Sequence, residues 1–426
     1  MSVIKGQKFF DIKYKNGLMR VGKIVTDNGI IDTPNFVPVA TLGTIKALDS
    51  VKVKELGIQA IFCNTYHLYL RPGEDIIYSL GGLHKFMNYK GVIFTDSGGF
   101  QAFSLGQALI DGVGKIANIF PENSGNEDIL SIKGKGQLKE NKRISKEKLA
   151  FIDSEGIVFK SHLDGKIFKL TPEKSIEIQL KLGSDIVLTL DECTSPLASY
   201  EYTKESTIRS FEWTKRSFEY FKRYKDNYYL NYRRFIYGIV QGGYFYDLRR
   251  WSLDKILSLD FDGYAIGGSL GKSTENMYEI LSWLEFPEDK PRHLLGIGTI
   301  KEIFSAIEFG IDTFDCIIPT RYARTGYVFT KYEDNYKNNF TLDITASFYK
   351  GKDIRKYDLP IDERCECYTC RNYSVAYLNH LFSVNEISGM VLLTIHNLFF
   401  YNKLLSDIRQ AILANRYYDF KNYFFS

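Results

Sequence analysis

Short apolar runs that end in glycine or a polar residue recur through the first three quarters of this chain. They limit the folds open to it more than any other feature. The runs are Ala60–Cys63, Gly91–Thr95, Asp185–Leu190, Phe235–Val240, Gly263–Ile266, His293–Gly296 and Thr313–Ile317. They lack strict alternation of apolar and polar residues, which suits strands buried on both faces, as in a parallel sheet. Helical stretches lie between them, among them Pro172–Leu182, with Thr171 placed to cap it, and Lys204–Lys222. The alternation predicts an α/β fold, a (β/α)8 or TIM barrel in preference to an open doubly wound sheet. No G-x-G-x-x-G opens the first unit, which weakens a dinucleotide-binding reading.

The residues just beyond each run point to a site. DSGGFQ (Asp96–Gln101) comes after the second run, DECT (Asp191–Thr194) after the third, and Gln241, Gly242 and Gly243 after the fourth. Gly267 and Gly268 come after the fifth, Gly298 and Thr299 after the sixth, and the last carries Asp315 and then Pro319, Thr320 and Arg321. A barrel gathers its active site at the strand C-termini, where glycines let a ligand approach the backbone.

Two regions break the rhythm. Residues 107–145 are rich in Gly, Asn, Lys and Glu and read as an insertion within a catalytic barrel spanning 1–330. Residues 331–401 turn polar around a cysteine cluster and read as a metal-braced module. Residues 402–426 complete the chain, with a helix over about 402–417 that packs Leu404, Leu405, Ile408, Ile412 and Leu413 onto the body. The formal charge of +4 is too small for general polyanion binding, so any nucleic-acid contact must be a local patch. No apolar run is long enough to span a bilayer and the N-terminus lacks the apolar core of a signal peptide, so a cytoplasmic protein with no membrane partner is expected. The 30 Tyr and 31 Phe are read as core filling.

Three of the six cysteines, Cys365, Cys367 and Cys370, fall within six residues, and His396 lies further on in an apolar stretch. Three thiolates and an imidazole make a closed tetrahedral zinc site with no position left for water, hence a structural one. His380 is the rival fourth ligand. His67, His84, His162 and His293 are scattered and read as hydrogen-bonded structural residues. Asp96, Asp191 and Asp315 end different strands yet should meet at one mouth, and paired carboxylates are the equipment for exchange at a sugar's anomeric carbon. Asp312 is read as structural. Arg321 and Arg324, just after Asp315, could hold phosphates beside a reacting sugar. A non-catalytic zinc-braced RNA-binding subunit and a barrel glycosidase remain alternatives.

At these residues the chain resembles the tRNA-guanine transglycosylases, or queuine tRNA-ribosyltransferases. The resemblance runs through DSGGFQ, FKSHLDG (Phe159–Gly165), DECT, GIVQGG (Gly238–Gly243), GYAIGG (Gly263–Gly268), FDCIIPTR (Phe314–Arg321) and the cysteine–histidine set. It implies a (β/α)8 barrel with an inserted zinc module, working as a homodimer on tRNA with a GUN anticodon and a free 7-deazaguanine base. It further implies that Asp315 attacks the ribose anomeric carbon and that Asp96 handles protons. Ser97, Gly98, Gly99, Phe100, Asp191, Gln241 and Gly268 would line the base site, with Phe100 the stacking surface. Gly296, Ile297, Gly298, Thr299, Ile300, Lys301 and Glu302, with Thr320, Arg321, Tyr322, Ala323 and Arg324, would grip the anticodon loop. One departure is GGSLGK (Gly267–Lys272). An ungapped count puts Gly271 where a valine narrows the pocket in bacterial members, which implies room for queuine as well as 7-aminomethyl-7-deazaguanine.

Overall fold

Eight parallel strands close on themselves: Asn35–Ala40, Ala60–Cys63, Val92–Thr95, Ile186–Leu188, Phe235–Val240, Gly263–Ile266, Arg292–Leu294 and Thr313–Cys316. The computed structural model describes residues 7–102, 150–161, 163–271, 273–330, 341–345 and 358–426. The insertion expected at 107–145 lies outside them, as do His162 and Lys272. Each strand pairs with the next in the chain. Closure comes where Thr313–Cys316 pairs with Asn35–Ala40, setting Asp315 beside Val37. The expected (β/α)8 architecture is therefore present.

Apart from the half-buried Val39, the strands are buried along their whole length because both faces are covered. Inside lie Val37, Phe62, Phe94, Leu188, Tyr237 and Ile239. Outside, the helix Pro172–Leu182 shows how local signals and packing agree. Thr171 accepts the N–H of Lys174, Pro172 opens the first turn, and Gly183 ends the helix at φ +77°. The helix foreseen at Lys204–Lys222 runs longer, Tyr200–Tyr224, from a Ser199 cap.

Three antiparallel strands unforeseen in the sequence, Phe10–Asn16, Met19–Val25 and Ile30–Thr33, close the barrel's N-terminal end. Phe10, Ile24 and Ile31 join the interior cluster, and Phe9 stacks on Phe235 at 3.8 Å. Asp312 sits at this end, fully buried, taking Arg20 Nε at 2.9 Å and the Arg292 N–H at 2.7 Å. Its structural reading stands.

The C-terminal boundary needs correction. A single helix, Ile387–Leu413, crosses residue 401, and a second, Tyr417–Phe425, comes after it. The apolar stripe through Leu392, Leu393 and His396 continues into Leu404, Leu405 and Ile408, so nothing interrupts the turns. The first half of this helix packs on the cysteine cluster. The second lies against the barrel, where Tyr401 donates to Gly298 O at 2.8 Å and Arg409 to Pro34 O at 2.7 Å. The cysteine cluster thus lies between the eighth strand and the half of this helix that packs on the barrel. Among the described residues no helix is long and apolar enough to cross a membrane.

Candidate active site

The strand Val92–Thr95 delivers Asp96 to the C-terminal mouth. Its Oδ2 accepts from Asn64 Nδ2 at 2.5 Å, and its Oδ1 from the N–H groups of Thr65 at 2.8 Å and Gly98 at 3.2 Å. Desolvation, countered by the Thr65 and Gly98 donors and reinforced by the charges of Asp315 and Asp191, pushes its pKa from 3.8 up to about 7. The carboxylates of Asp315 and Asp191, from two other strand ends, thus both act on Asp96.

Asp191 stands three residues beyond Leu188. Ser97 Oγ donates to its Oδ1 at 3.1 Å and Gln241 Nε2 to its Oδ2. Glycines let these groups converge: a Cβ on Gly99 would stand 2.6 Å from Asp191 O, and one on Gly268, at φ +72°, would collide with Gln241 Oε1. Phe100 is exposed at 38%. The structure thus brings together Asp96, Ser97, Gly98, Gly99, Asp191, Gln241 and Gly268.

Asp315 is the third residue of Thr313–Cys316. The N–H of Gly296 donates to its Oδ1 at 2.8 Å, and His293 Nε2 lies 3.1 Å from the same oxygen. The structure therefore gives His293 a neighbour that its sequence reading did not. Its contact depends on register: His293 pairs with Thr313, and Asp315, two residues on, points to the same face.

Cys365, Cys367, Cys370 and His396 offer ligand atoms that all lie within 4.8 Å of one another, and this group could hold one metal ion. His396 Nδ1 faces the three sulfurs at 3.8, 3.5 and 3.3 Å. Nε2 lies 2.7 Å from Phe329 O, a contact that sets the tautomer and leaves Nδ1 free to ligate. His380 lies outside this group, exposed on the helix Val375–Ser383.

A sequence model of the queuine tRNA-ribosyltransferase family matches residues 15–119 and 115–426. The chain is 45% identical over 417 residues to a putative queuine tRNA-ribosyltransferase of Archaeoglobus fulgidus, covering 97% of this chain and 98% of the relative. It is 42% identical over 415 residues to a queuine tRNA-ribosyltransferase of Thermodesulfovibrio yellowstonii, covering 97% and 93%. To that of Fusobacterium nucleatum it is 41% identical over 420 residues, covering 97% and 96%. The chain belongs to the queuine tRNA-ribosyltransferase family. It is therefore an enzyme, a pentosyltransferase.

Arg249, absent from the sequence reading, ties together the loops after Phe235–Val240 and Gly263–Ile266 in this queuine tRNA-ribosyltransferase family member. Fully buried on the helix Tyr246–Leu257, it donates to the carbonyls of Gly243 at 2.8 Å, Val240 at 2.9 Å, Gly267 at 3.0 Å and Ser269 at 2.7 Å. One guanidinium so joins two strand ends. Glu192 does the same for the loop after Asp191: Tyr202 donates to it at 2.6 Å and Arg209 pairs with it.

The twelve residues expected to grip RNA divide by exposure. Gly296, Thr299, Lys301, Arg321, Tyr322 and Arg324 reach the surface in part or whole. Ile297, Gly298, Ile300, Glu302, Thr320 and Ala323 are buried. Glu302 closes a capping box with Thr299, and a Cβ on Gly298 would stand 2.5 Å from that of Cys316.

Beside Gly271 the structure places a neighbour that the spacing did not reveal. At φ +91° its missing side chain would run into the Asn276 side chain, at the start of the helix Thr274–Ser282, while Leu270 is fully buried in the core. The glycine serves a turn and a close approach to that side chain.

Proposed function

We propose that the protein exchanges guanine at the wobble position of GUN-anticodon tRNAs for a free 7-deazaguanine, either 7-aminomethyl-7-deazaguanine or queuine, through a covalent Asp315–ribose intermediate. The observation that carries this reading is the meeting of Asp96, Asp191 and Asp315 at one mouth, with Asp315 held by Gly296 and His293. Asp315 attacks C1′ of the ribose. The C1′–N9 bond breaks, and its electron pair leaves on guanine, which takes a proton from Asp96. The incoming base then returns a proton to Asp96 as its N9 attacks C1′, freeing the Asp315 carboxylate. A carboxyl that titrates at about 7 serves both halves. Reaching C1′ requires the nucleotide to leave its stack.

Asp191, Gln241 and the Gly268 backbone read the base edge, with Ser97, Gly98 and Gly99 shaping the floor and Phe100 stacking on the ring. Arg321 and Arg324, with Lys301 in the first turn of the helix Ile300–Glu308, take the anticodon phosphates. Zinc suits the three thiolates and one imidazole, and its closed coordination gives it a structural task. The family resemblance supports a homodimer.

The test is incubation with labelled guanine and tRNA. Label should enter tRNAs carrying guanosine at position 34 of a GUN anticodon and no others. An accessory subunit would incorporate none, and a glycosidase would release sugar from free carbohydrate without touching tRNA.

The geometry carries two further expected outcomes. The exchange rate should show a titrating group near pH 7, protonated below and ionised above. Asp96→Ala should remove that limb and slow exchange about 10²–10⁴-fold, an effect read from a pH–rate profile. Gly268→Ala places a methyl against Gln241 at a left-handed φ, so KM for the free base should rise about tenfold or more while tRNA affinity holds. An unchanged base KM would remove Gly268 from the pocket wall.

A further inference from the structure

His293 is fully buried inside the barrel, one layer below the mouth. Its ring packs against Phe62 at 5.5 Å and Phe94 at 5.4 Å, which themselves lie 5.9 Å apart, so the three rings form a triangle with planes within 27° of one another. Its two nitrogens meet different partners: Nδ1 is 2.8 Å from Thr313 Oγ1, and Nε2 is 3.1 Å from Asp315 Oδ1. An ionised carboxylate only accepts, so Nε2 carries the hydrogen and the Thr313 hydroxyl donates to Nδ1. Asp315 Oδ1 thus receives two donors, His293 Nε2 and the Gly296 N–H, whereas Oδ2 has no hydrogen-bond partner among the described residues.

We propose that His293 is a positioning residue that aims the nucleophile, the chain from Thr313 through His293 to Asp315 fixing Oδ1 so that Oδ2 is the attacking oxygen. This rests on the reading of Asp315 as nucleophile. In the attack a lone pair of Oδ2 forms the bond to C1′ as the C1′–N9 pair leaves with guanine. Oδ1 becomes the ester carbonyl oxygen and keeps both donors. No reorganisation is needed on either side of the step, which is the advantage of a preset donor pair. Full burial against Phe62 and Phe94 restrains the ring, so the carboxylate is held by packing as well as by hydrogen bonds.

The test measures single-turnover formation of the denaturant-resistant protein–tRNA adduct, alongside tRNA affinity and thermal midpoint. His293→Phe keeps the stack and removes both hydrogen bonds; adduct formation should slow about 10- to 100-fold with tRNA affinity unchanged. His293→Gln returns a donor near the Nε2 position and should recover most of the rate. Thr313→Val, which spares the ring but releases its tautomer, should give an intermediate loss, and it carries the test if His293→Phe does not fold. Wild-type rates in His293→Phe or in Thr313→Val would overturn the proposal, as would a loss in His293→Phe that His293→Gln fails to relieve. Asp315→Asn separates the two levels. If that variant still forms adduct, the nucleophile is misassigned. If it does not, and the His293 and Thr313 variants match wild type, only the positioning role falls.

Discussion

Asp315→Asn is expected to abolish the covalent protein–tRNA adduct and lower guanine exchange about 10⁴-fold or more, while tRNA still binds. The substitution is nearly isosteric. Asparagine Oδ1 can accept the Gly296 N–H at 2.8 Å and the His293 Nε2–H at 3.1 Å as the carboxylate does, so the strand end keeps its shape. What changes is the other atom. An amide nitrogen replaces Oδ2, and its lone pair is delocalised into the carbonyl, leaving no nucleophile facing C1′. Loss of a negative charge beside Asp96 also removes one cause of that group's raised pKa, so any residual activity should titrate lower than in the wild type. Adduct retained by Asp315→Asn would place the covalent bond elsewhere.

The strands were legible where burial on both faces left continuous apolar runs and where the mouth left polar residues after them, as at Val92–Thr95 before Asp96. Asn35–Ala40 escaped because Pro38 reads as a strand breaker. It is a strand here because Thr313–Cys316 on one side and Ala60–Cys63 on the other hold it in the closed barrel. Asp96, Asp191 and Asp315 could be nominated from their places at strand ends. That His293 touches Asp315 could not, since the contact arises from the register of two neighbouring strands and not from spacing along the chain. Arg249 was silent for a related reason: its partners are four backbone carbonyls, which leave no mark in the sequence. The choice of His396 over His380 was open in the spacing and is decided by which helix face turns toward the cysteines. Gly271 could be singled out by its spacing, but the Asn276 side chain packed beside it could not, since that contact is set by the turn into the next helix.

Cys370→Ser should release the metal and destabilise the enzyme by several kcal/mol, lowering its thermal midpoint by roughly 5–10 °C. Serine oxygen is a poor substitute for thiolate at a soft tetrahedral site, and the remaining three ligands lie close together, with Cys367 and His396 buried. The damage should not stay local. His396 rides on Ile387–Leu413, the helix that also lays Tyr401 and Arg409 against the barrel, so loosening the metal end loosens the barrel's last helix. Metal analysis with scanning calorimetry checks this. Wild-type melting and exchange in a metal-free variant would show that the four residues need no ion.

The central claim is that one carboxylate, at the end of the eighth strand, carries the ribose of nucleotide 34. Mixing the wild-type enzyme with a GUN-anticodon tRNA, quenching in denaturant, digesting both polymers and sequencing the conjugated peptide by mass spectrometry tests it directly. The account predicts a single peptide containing Asp315, joined to a position-34 nucleotide that has lost its guanine. Attachment at Asp96 or Asp191, or the absence of any conjugate while exchange proceeds, would contradict it.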